Sequence, residues 1–343
     1  MRLRPVVELF EDKSLESSPN LQLLRGFSTI QSSLMKFAIT IDLHPWGHPD
    51  DIPRARDWLD ARSIPATFFV PTVMLAGGPF KTALLSLKQS IHQIGTHSHE
   101  HSLAEVTAIQ STRRQDLRFL EHSQQVFAEF YGDAPLCFRS PAWVRPSGVA
   151  YELLSELGYH VDSSATPQRL GLLSSYPFSN PWLAAPRRPT FITGNLLEIP
   201  TSSLLVPYGR LAAATFRTWG MRMFSAILLI EARLLKQRAL NLQLHAEDLV
   251  PSGPELARPK EPCLRDLLLK KHFGFGFRHW LADENRLRMY QRVSSLLDWL
   301  ARMKADFVTL EDVFRDYLAK RKNPAQGSPV SPQAIVATRA EHQ

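Results

Sequence analysis

The feature that most constrains this chain is a repeated alternation of short apolar runs with longer amphipathic stretches. The apolar runs occupy residues 37–41, 66–70, 93–96, 136–138, 159–161, 196–199, 241–244 and 307–309. They are too short for helices, and most carry the β-branched and aromatic side chains that favour strands. Between the first two, Ile52, Ala55 and Leu59 recur at helical spacing, and a longer helical pattern over residues 103–131 stops at Gly132-Asp133. Strands alternating with helices build a parallel sheet, and seven or eight repeats favour its closure. The expected fold is therefore α/β, a distorted (β/α) barrel of about seven strands. Such barrels put their chemistry at the carboxyl ends of the strands.

The residues after those strands are the ones that can do chemistry. Asp42 and His44 follow the first; His97, Ser98, His99, Glu100 and His101 follow the third. Arg139 follows the fourth, Asp162 and Ser163 the fifth, and His245, Glu247 and Asp248 the seventh. If every strand end faces one rim, these groups converge on one pocket. His97 and His101 are four apart, so on one helical turn both imidazoles can face one metal ion. An isolated pair at that spacing is more often an ordinary pair of surface histidines. The carboxylate at another strand end changes that balance. His99 points away from the other two and reads as structural. Two histidines and one further ligand leave an open position, the arrangement of a catalytic zinc.

Composition narrows the remaining classes. The chain has 343 residues, 44% of them hydrophobic, which suffices for a sizeable core. The formal charge is +7, but the excess is diffuse: Arg113-Arg114 and Lys270-Lys271 are short runs without interleaved aromatics. That pattern argues against nucleic acid as a partner. Two cysteines, Cys137 and Cys263, make neither a disulfide framework nor a thiolate metal cluster and read as free thiols in a reducing compartment. No secretion pattern opens the chain and no apolar run is long enough to span a bilayer, so a cytoplasmic location is expected. Residues 1–34 read as an irregular extension, with Met35 as the start of the folded unit. Residues 35–319 read as the catalytic domain and 320–343, rich in proline, as a disordered tail. Within 215–235, Phe216, Trp219, Met223, Ile227 and Ile230 line one helical face, with Arg217, Arg222 and Arg233 nearby. That face reads as the one that packs on the barrel; its rival reading is peripheral contact with a membrane surface.

The motif set resembles the NodB-type polysaccharide deacetylases. Five segments carry the resemblance in order: Thr40-Ile41-Asp42, His97 with His101, Arg139 with Pro141, Asp162 with Ser163, and Leu242 to His245. The resemblance spans about residues 36–318. It implies a barrel of the NodB-homology type and a metal-dependent hydrolase that removes an acetyl or formyl group from an amino sugar, with zinc as the expected ion. It implies His97 and His101 as ligands, Asp42 as general base, Arg139 holding Asp42 ionised, His245 as general acid, and Asp162 orienting His245. Pro141, Trp143 and Ser163 would line the substrate site, Trp143 as a wall against a sugar face. One departure stands out: the family's two adjacent aspartates are here Asp42-Leu43-His44. A side chain two residues on lies on the same side of a strand. His44 can then be the third ligand with Asp42 as base, or Asp42 binds the metal and the base lies elsewhere. Some relatives with an aspartate-x-acid pattern, the aminoarabinose-lipid deformylase among them, act on lipid-linked sugars. Other functions on this scaffold are an amidase for a non-sugar amide and a non-catalytic carbohydrate binder.

Overall fold

The computed structural model describes residues 35–167, 185–251 and 286–322, apart from 205, 236 and 238. The expected N-terminal extension, the tail beyond residue 322, Cys263 and the Lys270-Lys271 run lie outside the described residues.

Every strand expected from the sequence is present. In chain order these are β1 (Lys36–Asp42), β2 (Thr67–Val70), β3 (Gln93–Thr96), β4 (Cys137–Phe138) and β5 (Val161–Asp162). A short β6 (Thr190–Thr193), β7 (Leu196–Glu198) and the pair β8 (Ser203–Leu204) and β9 (Val206–Pro207) follow, then β10 (Ala239–His245) and β11 (Asp306–Val308). The principal sheet runs β10-β1-β2-β3-β4-β5-β7-β6, and all neighbours are parallel except β6, which pairs antiparallel with β7. Seven parallel strands thus form the curled wall, a distorted (β/α) barrel. Strand β1 is its axis. It pairs with β10 along its whole length, and its other edge is shared by β11 at Lys36–Ala38 and β2 at Thr40–Asp42. Between β7 and β10 irregular backbone bridges the sheet: Ser202 N donates to the Asn241 carbonyl (3.0 Å), and Gly209 forms a single parallel bridge with Gln243.

Strand periodicity sorts the side chains. Phe37, Ile39 and Ile41 pack in the core beneath the helices, whereas Ala38, Thr40 and Asp42 alternate to the opposite face. Ala38 joins Phe69, Cys137, Val161, Leu197 and Val308 in an apolar floor inside the barrel. Above that floor the interior turns polar, first at Thr40 and Asn241 and then at Asp42 and Gln243, all buried. The outer layer is α1 (Asp51–Asp60), α2 (Gly78–Leu87), α3 (Leu103–Ala108), α4 (Arg118–Tyr131), α5 (Gly148–Glu156), α6 (Arg210–Thr215), α7 (Thr218–Leu234), α8 (Arg286–Arg302) and α9 (Leu310–Lys322).

Two expectations need correction. The continuous helix over 103–131 is two helices joined by a 3-10 turn. Side chain and backbone compete there: Ser111 Oγ donates to Asp116 (2.6 Å), and Ser147 donates to the carbonyls of Ile109 and Ser111. The final helix also runs on to Lys322 rather than ending near 319, because Lys320, Arg321 and Lys322 complement the negative end of its dipole.

The bridge at Gly209 allows a direct test. A Cβ there would sit 2.0 Å from the Gln243 carbonyl oxygen, a backbone atom that cannot move aside. Gly209→Ala should cost about 1–3 kcal/mol of stability in chemical denaturation. Gly148→Ala, where an added Cβ meets nothing within 4 Å, should leave stability within about 0.5 kcal/mol or raise it.

Candidate metal and acid–base centre

Asp42 and His245 are direct cross-strand partners at the carboxyl ends of β1 and β10. His44 follows two residues after Asp42, and its ring centroid lies 6.1 Å from that of His97, 4.9 Å from that of His101 and 4.6 Å from that of His245. The ligand atoms of His44, His97 and His101 all lie within 4.8 Å of one another. Asp42 is not part of that constellation.

His97 and His101 meet by a different route from the helical turn expected. Residues 97–102 are a loop, and Ser98 (φ 62) and His101 (φ 60) both adopt the left-handed conformation. Such backbone is costly for non-glycine residues. The buried Glu105 holds it in place. Its carboxylate accepts from Ser98 Oγ (2.7 Å), Glu100 N (3.0 Å) and His101 N (2.8 Å), and it closes a capping box with Ser102 at the start of α3. His99 turns away, bonding Thr72 Oγ1 (2.8 Å) and packing its ring on His122.

The donor set fits a divalent ion. The Nδ1–H of His97 donates to the Arg139 carbonyl (2.9 Å), which leaves its Nε2 lone pair free. The Nδ1 atoms of His44 and His101 are buried without a hydrogen-bond partner. Burial pushes all three imidazoles down, His101 to about 3 and His44 well below its ordinary value, with neighbouring histidines adding to the shift at both. At neutral pH the three rings are therefore uncharged, which is the form that binds metal.

Arg139 is wholly buried and joins Asp42 to the barrel interior. It donates to Asp42 Oδ1 (2.6 Å), Thr40 Oγ1 (3.0 Å), and the Ser163 carbonyl and Oγ (2.8 Å each), and its guanidinium lies 4.4 Å from the Phe69 ring centroid. Gln243 Nε2 donates to Asp42 Oδ2 (2.9 Å). Burial alone would raise the Asp42 carboxyl, but Arg139, His97 and His245 outweigh it and hold it below its ordinary value. Asp42 is thus ionised and fixed.

Three expected roles change. Ser163 is fully buried, and its hydroxyl is used by Arg139, Asn241 (3.1 Å) and the Ile199 carbonyl (2.8 Å), so it anchors Arg139 rather than touching substrate. Pro141 is buried too, beside the left-handed residues Ala142 (φ 54) and Trp143 (φ 53); Trp143 itself is half-buried. Asp162 does not reach His245. On β5 it stands in register with Glu198 of β7, the two fully buried carboxyls side by side with Asp162 Oδ2 and Glu198 Oε2 lacking any other partner, while Ser164 Oγ donates to Asp162 (2.5 Å). The ring of His245 is held instead by Arg210 Nη1, 2.7 Å from Nδ1, and by Glu247 Oε1 at 3.3 Å from the same nitrogen. Arg210 and Glu247 also pair with one another.

Sequence reasoning missed Arg210, Gln243, Glu198 and Trp46. Arg210 opens α6 at no strand end, and the register pairing of Glu198 is invisible in one dimension. Trp46 stacks flat on His44 (4.8 Å between centroids, 5° between planes), meets the His101 ring edge-on and remains 61% exposed. Its signal was available: it lies two residues beyond His44 in a Pro-Trp-Gly turn.

The Asp162–Glu198 pair predicts a pH effect. Burial raises both carboxyls, and the neighbouring Asp162 adds to the rise of Glu198, which lies well above its ordinary value. Groups raised on folding stabilise fully below the unfolded pKa of about 4. That stability is lost as pH rises through the folded value. Glu198→Gln keeps the bond to Asp162 without needing a proton. Its melting temperature relative to wild type should therefore climb as pH goes from acid to alkaline; a pH-independent difference would remove the shared proton.

Residues 33–161 match the family model described as polysaccharide deacetylase. Among curated proteins, none matches the chain by sequence. Among solved structures, a putative polysaccharide deacetylase from Mycobacterium smegmatis is similar at 15% identity and a TM-score of 0.52, over 88% of this chain and 95% of that one. The Puue allantoinase is similar at 11% identity and a TM-score of 0.50, over 84% and 92%. At these identities the two structures speak to the fold, and the sequence model speaks to the family. Its matched segment contains Asp42, His44, His97, His101 and Arg139. Over residues 33–161 the chain is similar to the polysaccharide deacetylase family.

Proposed function

We propose that the protein is a metal-dependent N-deacylase that releases an acetyl or formyl group from an amino sugar. The observation that carries this reading is the trio His44, His97 and His101, neutral and each with one free ring nitrogen, beside an ionised Asp42 fixed by Arg139. A divalent ion held by the three histidines, zinc by the preference of an all-imidazole set, would polarise the amide carbonyl and bring the pKa of a bound water towards roughly 7.

The remaining chemistry belongs to the chain's own residues. Asp42 has each carboxylate oxygen engaged once, by Arg139 and by Gln243, which leaves a lone pair to take a proton from the attacking water. Arg139 and Gln243 keep it ionised and aimed while it waits. On the opposite strand end His245 is placed to protonate the leaving nitrogen, since an amide anion is too basic to depart unaided. Glu247 stands ready to accept the Nδ1 proton of the charged ring, and Arg210 holds the ring when it is neutral. Trp46 offers its exposed face as the apolar wall against which a sugar ring can stack.

Metal analysis and amine release from a panel of N-acetylated and N-formylated amino sugars test this. Wild type should carry about one zinc per chain, and His97→Ala, His101→Ala or His44→Ala should lose it. Asp42→Asn should keep metal and lose hydrolysis. The opposite pattern, metal lost with Asp42→Asn and kept with His44→Ala, would make Asp42 the ligand. His245→Ala should cut turnover by about a hundred- to ten-thousand-fold with metal content unchanged. Its effect should be smaller on an activated ester, whose leaving group needs no proton; equal losses on both substrates would remove the acid role.

A further inference from the structure

Helix α7 presents the wrong face to solvent for a helix that only packs on a barrel. Its buried side is Met221, Phe224, Ser225, Leu228 and Ala232. Its most exposed positions are all apolar: Trp219 (72% exposed), Met223, Ile227, Ile230 and Leu234 (78%). The steps of four, four, three and four put these five on one stripe, running about 22 Å along the helix at 1.5 Å per residue. The sequence had suggested that this stripe packs inward. The structure corrects that: the opposite side is the one buried against the core, and of the expected stripe only Phe216 packs, its ring 5.4 Å from that of Phe224.

The surroundings of the stripe are basic. Arg222 lies along one edge by helical spacing, and its Nη2 donates to Ser295 Oγ of α8 (2.9 Å). Arg217 and Arg288 are exposed and close enough to Arg292 that, after burial, their charges depress its guanidinium. Acids nearby are already paired: Glu231 of α7 with Arg187, and Asp298 of α8 with Arg62. A stripe of large apolar side chains, ending in an exposed tryptophan and edged by arginines, is the make-up of a helix that lies in a lipid interface. A symmetric pairing with a second copy would instead set each basic edge against its own image. Among the described residues no helix is long and apolar enough to cross a membrane, so this is contact with a surface and not insertion across one.

We propose that α7, with Arg217, Arg222 and Arg288 beside it, docks the protein on an anionic lipid bilayer. This stands apart from the deacylase reading. The two are neighbours in the chain: Arg210, at the side of His245, opens α6, and α6 leads into α7.

The test is co-sedimentation of the full chain with phosphatidylcholine vesicles, with and without phosphatidylglycerol, at low and high salt. Wild type should partition onto the anionic vesicles, bind pure phosphatidylcholine weakly and be released by salt. Replacing Trp219 and Ile227 together by Gln should lower the partition at least about tenfold, given two apolar anchors removed. Arg217→Gln and Arg288→Gln should each cost about fivefold. All variants should keep the wild-type melting temperature and amine release from a soluble substrate. No binding to anionic vesicles by wild type, or undiminished binding by the Trp219/Ile227 double variant, would overturn the proposal. So would sedimentation velocity showing a dimer that this double variant abolishes, since the stripe would then be a protein interface.

Discussion

The ion pair between Arg139 and Asp42 is the interaction on which the rest of the centre depends. Both groups are removed from water, and an unpaired charge in that place would cost about 3–5 kcal/mol. The barrel answers this with a complete set of partners. Thr40, Ser163 and Gln243 come from three different strands or strand ends, and each contributes a bond to one of the two charged groups. The pair therefore ties β1, β4, β10 and the end of β5 into one rim. It also fixes the carboxylate in its ionised form. The Arg139 carbonyl fixes the tautomer of His97 as well, so one residue sets the state of a carboxylate and of an imidazole.

The histidine loop shows a second constraint, in which backbone strain is accepted for geometry. Two left-handed residues, Ser98 and His101, bend residues 97–102 so that His97 and His101 face one point while His99 leaves for Thr72 and His122. Strain of this kind, on the order of 1–3 kcal/mol per residue, persists only where surroundings over-determine it. Glu105 does so with bonds to donors of Ser98, Glu100 and His101. The same logic repeats at Ala142 and Trp143, next to Arg139. Strained backbone thus gathers at the rim and is rare elsewhere among the described residues.

Charge is handled differently inside and outside. In the interior Arg139 meets a carboxylate, two hydroxyls and a carbonyl, whereas Asp162 and Glu198 are two acids side by side whose carboxyls burial raises, so that protonation of one relieves the pair. On the α7–α8 surface, by contrast, arginines crowd one another beside exposed apolar side chains. A surface built in that way is matched by a negatively charged, partly apolar partner.

Much of this was legible in one dimension. Strand runs of the right length, each followed by titratable residues, determined the α/β barrel and named Asp42, His44, His97, His101, Arg139 and His245 as one cluster, because strand periodicity and parallel topology leave those positions only one rim to share. What sequence could not supply was anything that depends on register or on loop conformation. Asp162 was assigned to His245, yet cross-strand register gives it to Glu198, and Arg210 reaches His245 from a helix start that carries no local signal. Ser163 looked like a substrate contact, but burial turned it into an anchor for Arg139. Sequence left both Asp42 and His44 beside the histidine pair; three-dimensional distances group His44, and not Asp42, with the other two histidines. The apolar stripe on α7 was visible as a periodicity, but a helix's period says only that it has two faces. Which of them meets the core is decided by the volumes and shapes of the elements it packs against, and those exist only in the folded chain.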